Sequence, residues 1–255
     1  MSDSLGTRDL LSLAGELAEG LAGLDVLFDP AARLTEVKYA RNRISPLVPK
    51  VVEAVEMFNC YVSARVLKDP PVNQLREAVR RASELLATGS LSQENCDRFC
   101  GILREFTKTS DVILQDAWRA SVDEKFDDKE LVFMKVLCQN FVDMKDCGKL
   151  ERNAAERGLK LAKDLETTRS RPPGQDVTRV RGQVIKVAKI AADLVKVRDT
   201  LIGSDPDVRK FVRAVGQPGG VRLGDVPDPV WEWIAEKGLS SAYVVAPAQG
   251  VASRR

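Results

Sequence analysis

Residues 177–202 read VTRVRGQVIKVAKIAADLVKVRDTLI, and the fold class follows from their spacing. Val177, Val180, Val184, Val187, Ala191, Leu194, Arg198 and Leu201 alternate by three and four for more than three heptads. An apolar period of 3.5 residues keeps one helical seam turned toward a partner helix. Ile185, Ala188, Ala192, Val195 and Ile202 widen the seam, and so broad a stripe is expected to face two or more neighbours in a bundle. Arg198 lies on the seam and is expected near an open end, where its head reaches water.

Working outward, residues 171–174 (Arg-Pro-Pro-Gly) separate this arm from an earlier apolar row. That row holds Met134, Leu137, Phe141, Met144, Gly148, Ala155, Gly158, Ala162 and Leu165, interrupted by Glu151. Its second half is small, so another helix can approach closely there, at a propensity cost of up to about 1 kcal/mol per glycine. Unbroken over residues 128–168, this arm would be roughly 60 Å long. The two arms predict an antiparallel hairpin over residues 128–202. The expected fold is therefore all-α: an elongated antiparallel helical bundle or coiled-coil hairpin.

Composition agrees with that expectation. Aromatic residues make up 5% and charged residues 30%, the balance of long helices rather than sheets, and 44% hydrophobic content is ample for a core. The net charge of +2 implies no partner by itself, but it is unevenly spread. Residues 111–130 hold seven acids against three bases, and residues 149–198 thirteen bases against six acids. Such asymmetry either steers an acidic partner or nucleic acid, or is internal complementarity between packed helices. Five cysteines, odd in number and without scaffold spacing, read as reduced thiols in a cytoplasmic protein. Asp3, Asp9, Glu16 and Glu19 read against a signal sequence, and no apolar run reaches about 18 residues, so no membrane span is expected.

In chain order, Thr7 can cap a helix carrying Leu10, Ala14, Leu17, Leu21, Leu24 and Phe28. A short helix with Leu34, Val37 and Ile44 follows, stopped at Ser45 and Pro46. Pro49 opens a third, with Val51, Val52, Val55, Phe58, Val62 and Val66 on one side, ended by Asp69, Pro70 and Pro71. Val72, Leu75, Val79, Ala82 and Leu86 form the next row, with a stop at Gly89. Ser90 and Gln93 have capping-box spacing for a helix over residues 91–122, with Phe99, Ile102, Phe106, Ile113, Ala117 and Ala120 in phase.

After residue 203 the pattern changes. Asp205 and Pro206 start a short helix with Val208, Phe211, Val212 and Val215 inward; residues 217–220 form a turn, and residues 221–223 can form a strand. Asp228 and Pro229 open another helix with Val230, Trp231, Trp233 and Ile234, stopped at Gly238, and residues 243–245 can pair with 221–223. The expected division is a bundle over residues 1–203, a small mixed α/β docking module over 204–246 and a frayed tail over 247–255. By element order, residues 205–246 resemble winged-helix domains. Residues 229–237 carry Glu232 and Glu236 against Lys237 alone, so the resemblance implies protein binding rather than DNA binding.

Candidate chemistry is sparse. The chain has no histidine, which removes Ser-His and Cys-His nucleophile pairs and the usual general base near neutral pH. Cys96 and Cys100 share a helix face but lack further ligands for zinc, and read as buried apolar groups. Asp123, Glu124, Asp127, Asp128 and Glu130 lack the glycine and alternating oxygens of a calcium loop, and read as a solvated turn. No cofactor, metal or catalytic residue is expected. Trp231 and Trp233, two apart on a helix, point in different directions: one belongs to the core, against Phe211, and the other is a candidate protein-interface anchor. Arg179, Lys186, Lys189 and Lys196 form a basic ridge that is either a solvated face or a track for phosphates. The expectation is a non-enzymatic adaptor, scaffold or structural subunit that binds other proteins and forms homo-oligomers; the alternative is nucleic-acid binding through the ridge.

Overall fold

The structure is a computed structural model that describes residues 34–68, 73–87, 92–145, 147–174, 176–215, 221, 225–237 and 239. Nine helices occupy the described residues: α1 (Leu34–Ile44), α2 (Val48–Ser63), α3 (Asn73–Ala87), α4 (Gln93–Asp123), α5 (Asp128–Asp143), α6 (Lys149–Ser170), α7 (Val177–Ile202), α8 (Pro206–Val215) and α9 (Asp228–Glu236). The described residues hold no strand, and the helices pack as in a bundle. The expected helix over residues 7–28, the breaks at residues 69–71, Gly89 and Gly238, the turn at 217–220 and the frayed end at 251–255 lie outside the described residues.

Two compact units divide the chain. The first comprises Met1–Ser121 and Pro172–Val184, the second Val122–Arg171 and Ile185–Arg255. In the first unit, Ala40, Ile44, Leu47, Val51, Phe58, Leu75, Val79, Ala82, Phe99, Leu103, Phe106, Leu114 and Trp118 are buried. These are largely the predicted rows, although Val52 is exposed. Proline near its first turn starts α2, where a missing N–H costs nothing. The end of α2 is a Schellman arrangement, with Val66 N donating to Tyr61 O at 2.8 Å and Arg65 N to Val62 O at 2.9 Å. Arg65 takes the left-handed position at φ 59°, where glycine is usual. Buried Tyr61 donates its hydroxyl to Pro173 O at 3.3 Å, and Arg181 donates to Ser63 O at 2.9 Å. At the N-terminus of α4, Ser92 Oγ accepts from Asn95 N at 3.2 Å, and the expected cap, Ser90, lies outside the described residues.

In the second unit, the expected long arm is two helices. Met144 is extended, with φ −69° and ψ 123°, and Gly148 has φ −56° and ψ 148°. Arg152 Nη2 donates to Met144 O at 2.7 Å and Lys145 O at 3.3 Å, satisfying carbonyls that a continuing helix would have used. The chain folds back, and α5 packs on α6. Small residues on α6 serve close approach: a Cβ on Gly158 would lie 2.5 Å from Cys138 Sγ and 2.9 Å from Val197 Cγ1. Leu131, Met134, Leu137, Cys138, Phe141, Ala155, Ala162, Leu165, Leu194, Val197 and Leu201 are buried in this unit.

Two further expectations fail. Ile185 is 70% exposed, and Ala188 and Ala192 are also exposed, so the α7 seam is narrower than its apolar count implied. The C-terminal segment does not appear as a mixed α/β, winged-helix-like module. Its described residues form α8 and α9, which pack on one another; Val221 is in no strand, and residues 222–223 and 243–245 lie outside the described residues.

Candidate partner-binding surface

The tryptophan pair divides as their helical spacing requires. Two positions on a helix are about 200° apart, so one side chain turns inward when the other turns out. Trp233 is 6% exposed, and its Nε1 donates to Leu201 O at 3.2 Å, at the C-terminal end of α7. This bond satisfies a carbonyl that the helix end leaves without an intrahelical partner. At the end of α9, Lys237 Nζ lies 3.1 Å from Glu151 Oε1. The Glu151 carboxyl is held below its ordinary range by its own backbone amide and by Lys237. With α9 pinned at these two points, Trp231 stands 43% exposed.

A groove of about 750 Å³ lies between α5 and α8 in the same unit. Its apolar lining is Val132, Phe133, Val136, Leu137, Val212 and Val215. Val132 and Val136 are each half exposed or more. Arg213 lies over the Phe133 ring, 5.1 Å from its centroid, and pairs with Glu130. Of the four residues expected inward on α8, Val208 and Phe211 are buried, Val212 is half-buried and Val215 is exposed. The signal for the groove was present in Val132, Phe133 and Val136, which fall off the seam of α5.

The acidic cluster is neutralised rather than simply solvated. Arg169 bonds Asp123 at 2.8 Å and Asp128 at 2.9 Å, and Asp127 caps α5 by accepting from Lys129 N at 2.7 Å. Glu130 binds both Arg198, at 3.1 Å, and Arg213. Arg198 is thus part of a pair whose side chains are each 17% exposed, not a snorkelling group at an open end. Together with Lys135 and Glu166 at 2.5 Å, these pairs account for much of the charge asymmetry as complementarity between helices.

Along α7, Arg179 belongs to the first unit and Lys186, Lys189 and Lys196 to the second. All four are exposed. Lys196 is 3.5 Å from Asp193, which Arg157 also engages, whereas Arg179, Lys186 and Lys189 form no ion pair among the described residues. Cys60, Cys96, Cys100 and Cys138 are buried thiols, and Cys147 is partly exposed. Burial pushes the Cys138 thiol up to about 11. Among the described residues no three His, Cys, Asp or Glu side chains converge on a metal position, and no helix is long and apolar enough to cross a membrane. No protein-family model matches the chain, and neither does any curated protein or solved structure.

Proposed function

We propose that this chain is a non-enzymatic protein–protein interaction protein, an adaptor, scaffold or structural subunit of a larger assembly. The observation that carries the reading is Trp231, held outward on a helix fixed by the Trp233 bond to Leu201 O and the Lys237–Glu151 pair. A large amphipathic ring on a rigid element loses little conformational entropy on contact, and such residues dominate interface energetics. The test is co-purification from the native cell with wild-type chain and with Trp231→Ala, read as proteins held by the first and lost by the second. A hot-spot ring contributes about 2 kcal/mol or more, roughly 30-fold in affinity. An unchanged set of partners, with unchanged melting of the free chain, sinks the proposal. Self-association belongs to the same reading, and light scattering across a concentration series measures it.

Lys186 and Lys189, exposed and without an ion pair among the described residues, favour one alternative, binding of a nucleic-acid backbone through α7. Such binding weakens steeply with salt and is indifferent to sequence. Fluorescence polarisation with duplex DNA and duplex RNA at low salt decides it. No binding there, or binding unaffected by Lys186→Glu with Lys189→Glu, ends that alternative.

A further inference from the structure

We propose that the outward face of α9 docks on the outward face of α7 in a second copy of the chain, with Trp231 against Ile185 and carboxylates against lysines. The inference rests on the reading of Trp231 as an interface anchor and names what that anchor meets. Both faces belong to the second unit, and three observations bring them together.

The first is exposure. Ile185 is 70% exposed and Trp231 43%. Ala188 and Ala192, on the same side of α7 as Ile185, are exposed too, and their short side chains leave room for an indole ring. Within one chain the two residues are held apart. Trp233, two residues from Trp231, is bonded to Leu201 O, and Ile185 lies about 24 Å back along α7 from Leu201. The helix α9 is itself only about 13 Å long.

The second is charge. Asp228, Glu232 and Glu236 follow one another at four-residue spacing, on the half of α9 opposite Val230, Trp233 and Ile234. Like charges at that spacing repel and weaken the helix that carries them. Asp228 is favoured by the helix N-terminus, but Glu236 stands in the last turn, where the helix end disfavours an acid. All three are exposed, and none forms an ion pair among the described residues. Lys186 and Lys189, beside Ile185, have the opposite charge and are in the same condition.

The third is register. Glu232 and Glu236 are about 6 Å apart along α9, and Lys186 and Lys189 about 4.5 Å apart along α7. The flexible lysine stems absorb that difference. Two crossing helices can therefore form both ion pairs at once, with Trp231, next to Glu232, over Ile185, next to Lys186. An ammonium close to the indole face is a further attraction. Every copy carries both faces, so a twofold dimer makes the contact twice.

The experiment is sedimentation velocity of the full chain over a concentration series at low salt. Wild type is expected to pass from monomer to dimer, and to dissociate more readily as salt rises. Lys186→Glu with Lys189→Glu, and separately Glu232→Lys with Glu236→Lys, are each expected to weaken dimerisation at least about tenfold, because like charges then face each other. An equimolar mixture of these two variants is expected to dimerise again, since both of its contacts join opposite charges. That recovery also shows that both variants are folded. Trp231→Ala is expected to weaken dimerisation at least about tenfold. A wild type that stays monomeric overturns the proposal, as does a mixture that fails to recover or a Trp231→Ala chain that dimerises like wild type. A monomer that binds duplex DNA or RNA through Lys186 and Lys189 overturns it in favour of a nucleic-acid face. A monomer that loses other proteins on Trp231→Ala overturns this inference alone and leaves Trp231 as an anchor for those proteins.

Discussion

Replacing Gly158 by alanine sets two effects of similar size against each other. In a helix interior the change is worth about 1 kcal/mol of stability through propensity alone. Against this, the new methyl would lie 2.5 Å from Cys138 Sγ and 2.9 Å from Val197 Cγ1. Neither neighbour has a long flexible side chain: Val197 Cγ1 moves only by leaving its helical rotamer, and Cys138 is buried. Overpacking of this kind costs about 1–3 kcal/mol, so the net effect is a loss of roughly 1 kcal/mol. A methyl group on Gly182, in α7, would meet nothing within 4 Å, so Gly182→Ala is expected to stabilise by about 1 kcal/mol. The two alanines should therefore differ by about 2 kcal/mol in opposite directions. Urea denaturation followed by far-ultraviolet dichroism and tryptophan emission measures this, once coincidence of the probes has been checked. Adding Cys138→Ala should reduce the cost of Gly158→Ala by about 1 kcal/mol, as a double-mutant cycle. If Gly158→Ala stabilises as much as Gly182→Ala, α6 is not held close to α5 and α7, and the packing argument fails.

Arg65→Gly should stabilise by about 1 kcal/mol in thermal or urea unfolding, because an L side chain at φ 59° is strained; a loss instead would mean that the Arg65 side chain contributes more than the turn geometry. Glu130→Gln should cost about 1–3 kcal/mol, since it removes the carboxylate charge shared by Arg198, 17% exposed, and Arg213 and leaves Arg198 only the longer contact to Asp199 at 3.4 Å, and a change under 0.5 kcal/mol would show the pair to be incidental. The Cys138 thiol titrates ordinarily near 9.0 but near about 11 when folded, so its contribution is fully present below pH 9 and is lost as pH rises toward 11. Stability should fall across that window by up to about 2 kcal/mol more in wild type than in Cys138→Ala, and equal slopes would contradict the burial argument. At pH 8, Cys147 should be the thiol that reacts first, with Cys138 inert until the chain unfolds, as mass spectrometry of alkylated peptides would show.

Much of the fold was legible because its helices announce themselves by spacing and punctuation. The expectation for α7 matches Val177–Ile202, and residues 91–122 became Gln93–Asp123. The break between α5 and α6 was not legible, since Phe141, Met144 and Gly148 stay in phase across it and no proline marks it. What ends α5 is Arg152 reaching back to carbonyls seven and eight residues earlier, a contact that periodicity does not encode. Apolar period shows which face of a helix is apolar, not whether a neighbour covers it. Hence Ile185 was assigned to a seam and is open, while Val132 and Val136 drew no notice and line a groove. The opposite orientations of Trp231 and Trp233 followed from helical geometry alone. Which of the two faces inward required the carbonyl of Leu201.

The division of the chain has a consequence for its synthesis. The first unit needs Pro172–Val184 as well as Met1–Ser121, and Val122–Arg171 are made in between. The Tyr61 hydroxyl must wait for Pro173, 112 residues downstream. At roughly 5–20 residues per second, the 50 intervening residues take about 3–10 s to emerge. Through that interval α1–α4 stand on the ribosome with a buried tyrosine unpaired and part of their core uncovered. A nascent chain arrested before residue 172 should be cut readily by protease within those helices, and one extended past residue 184 should resist.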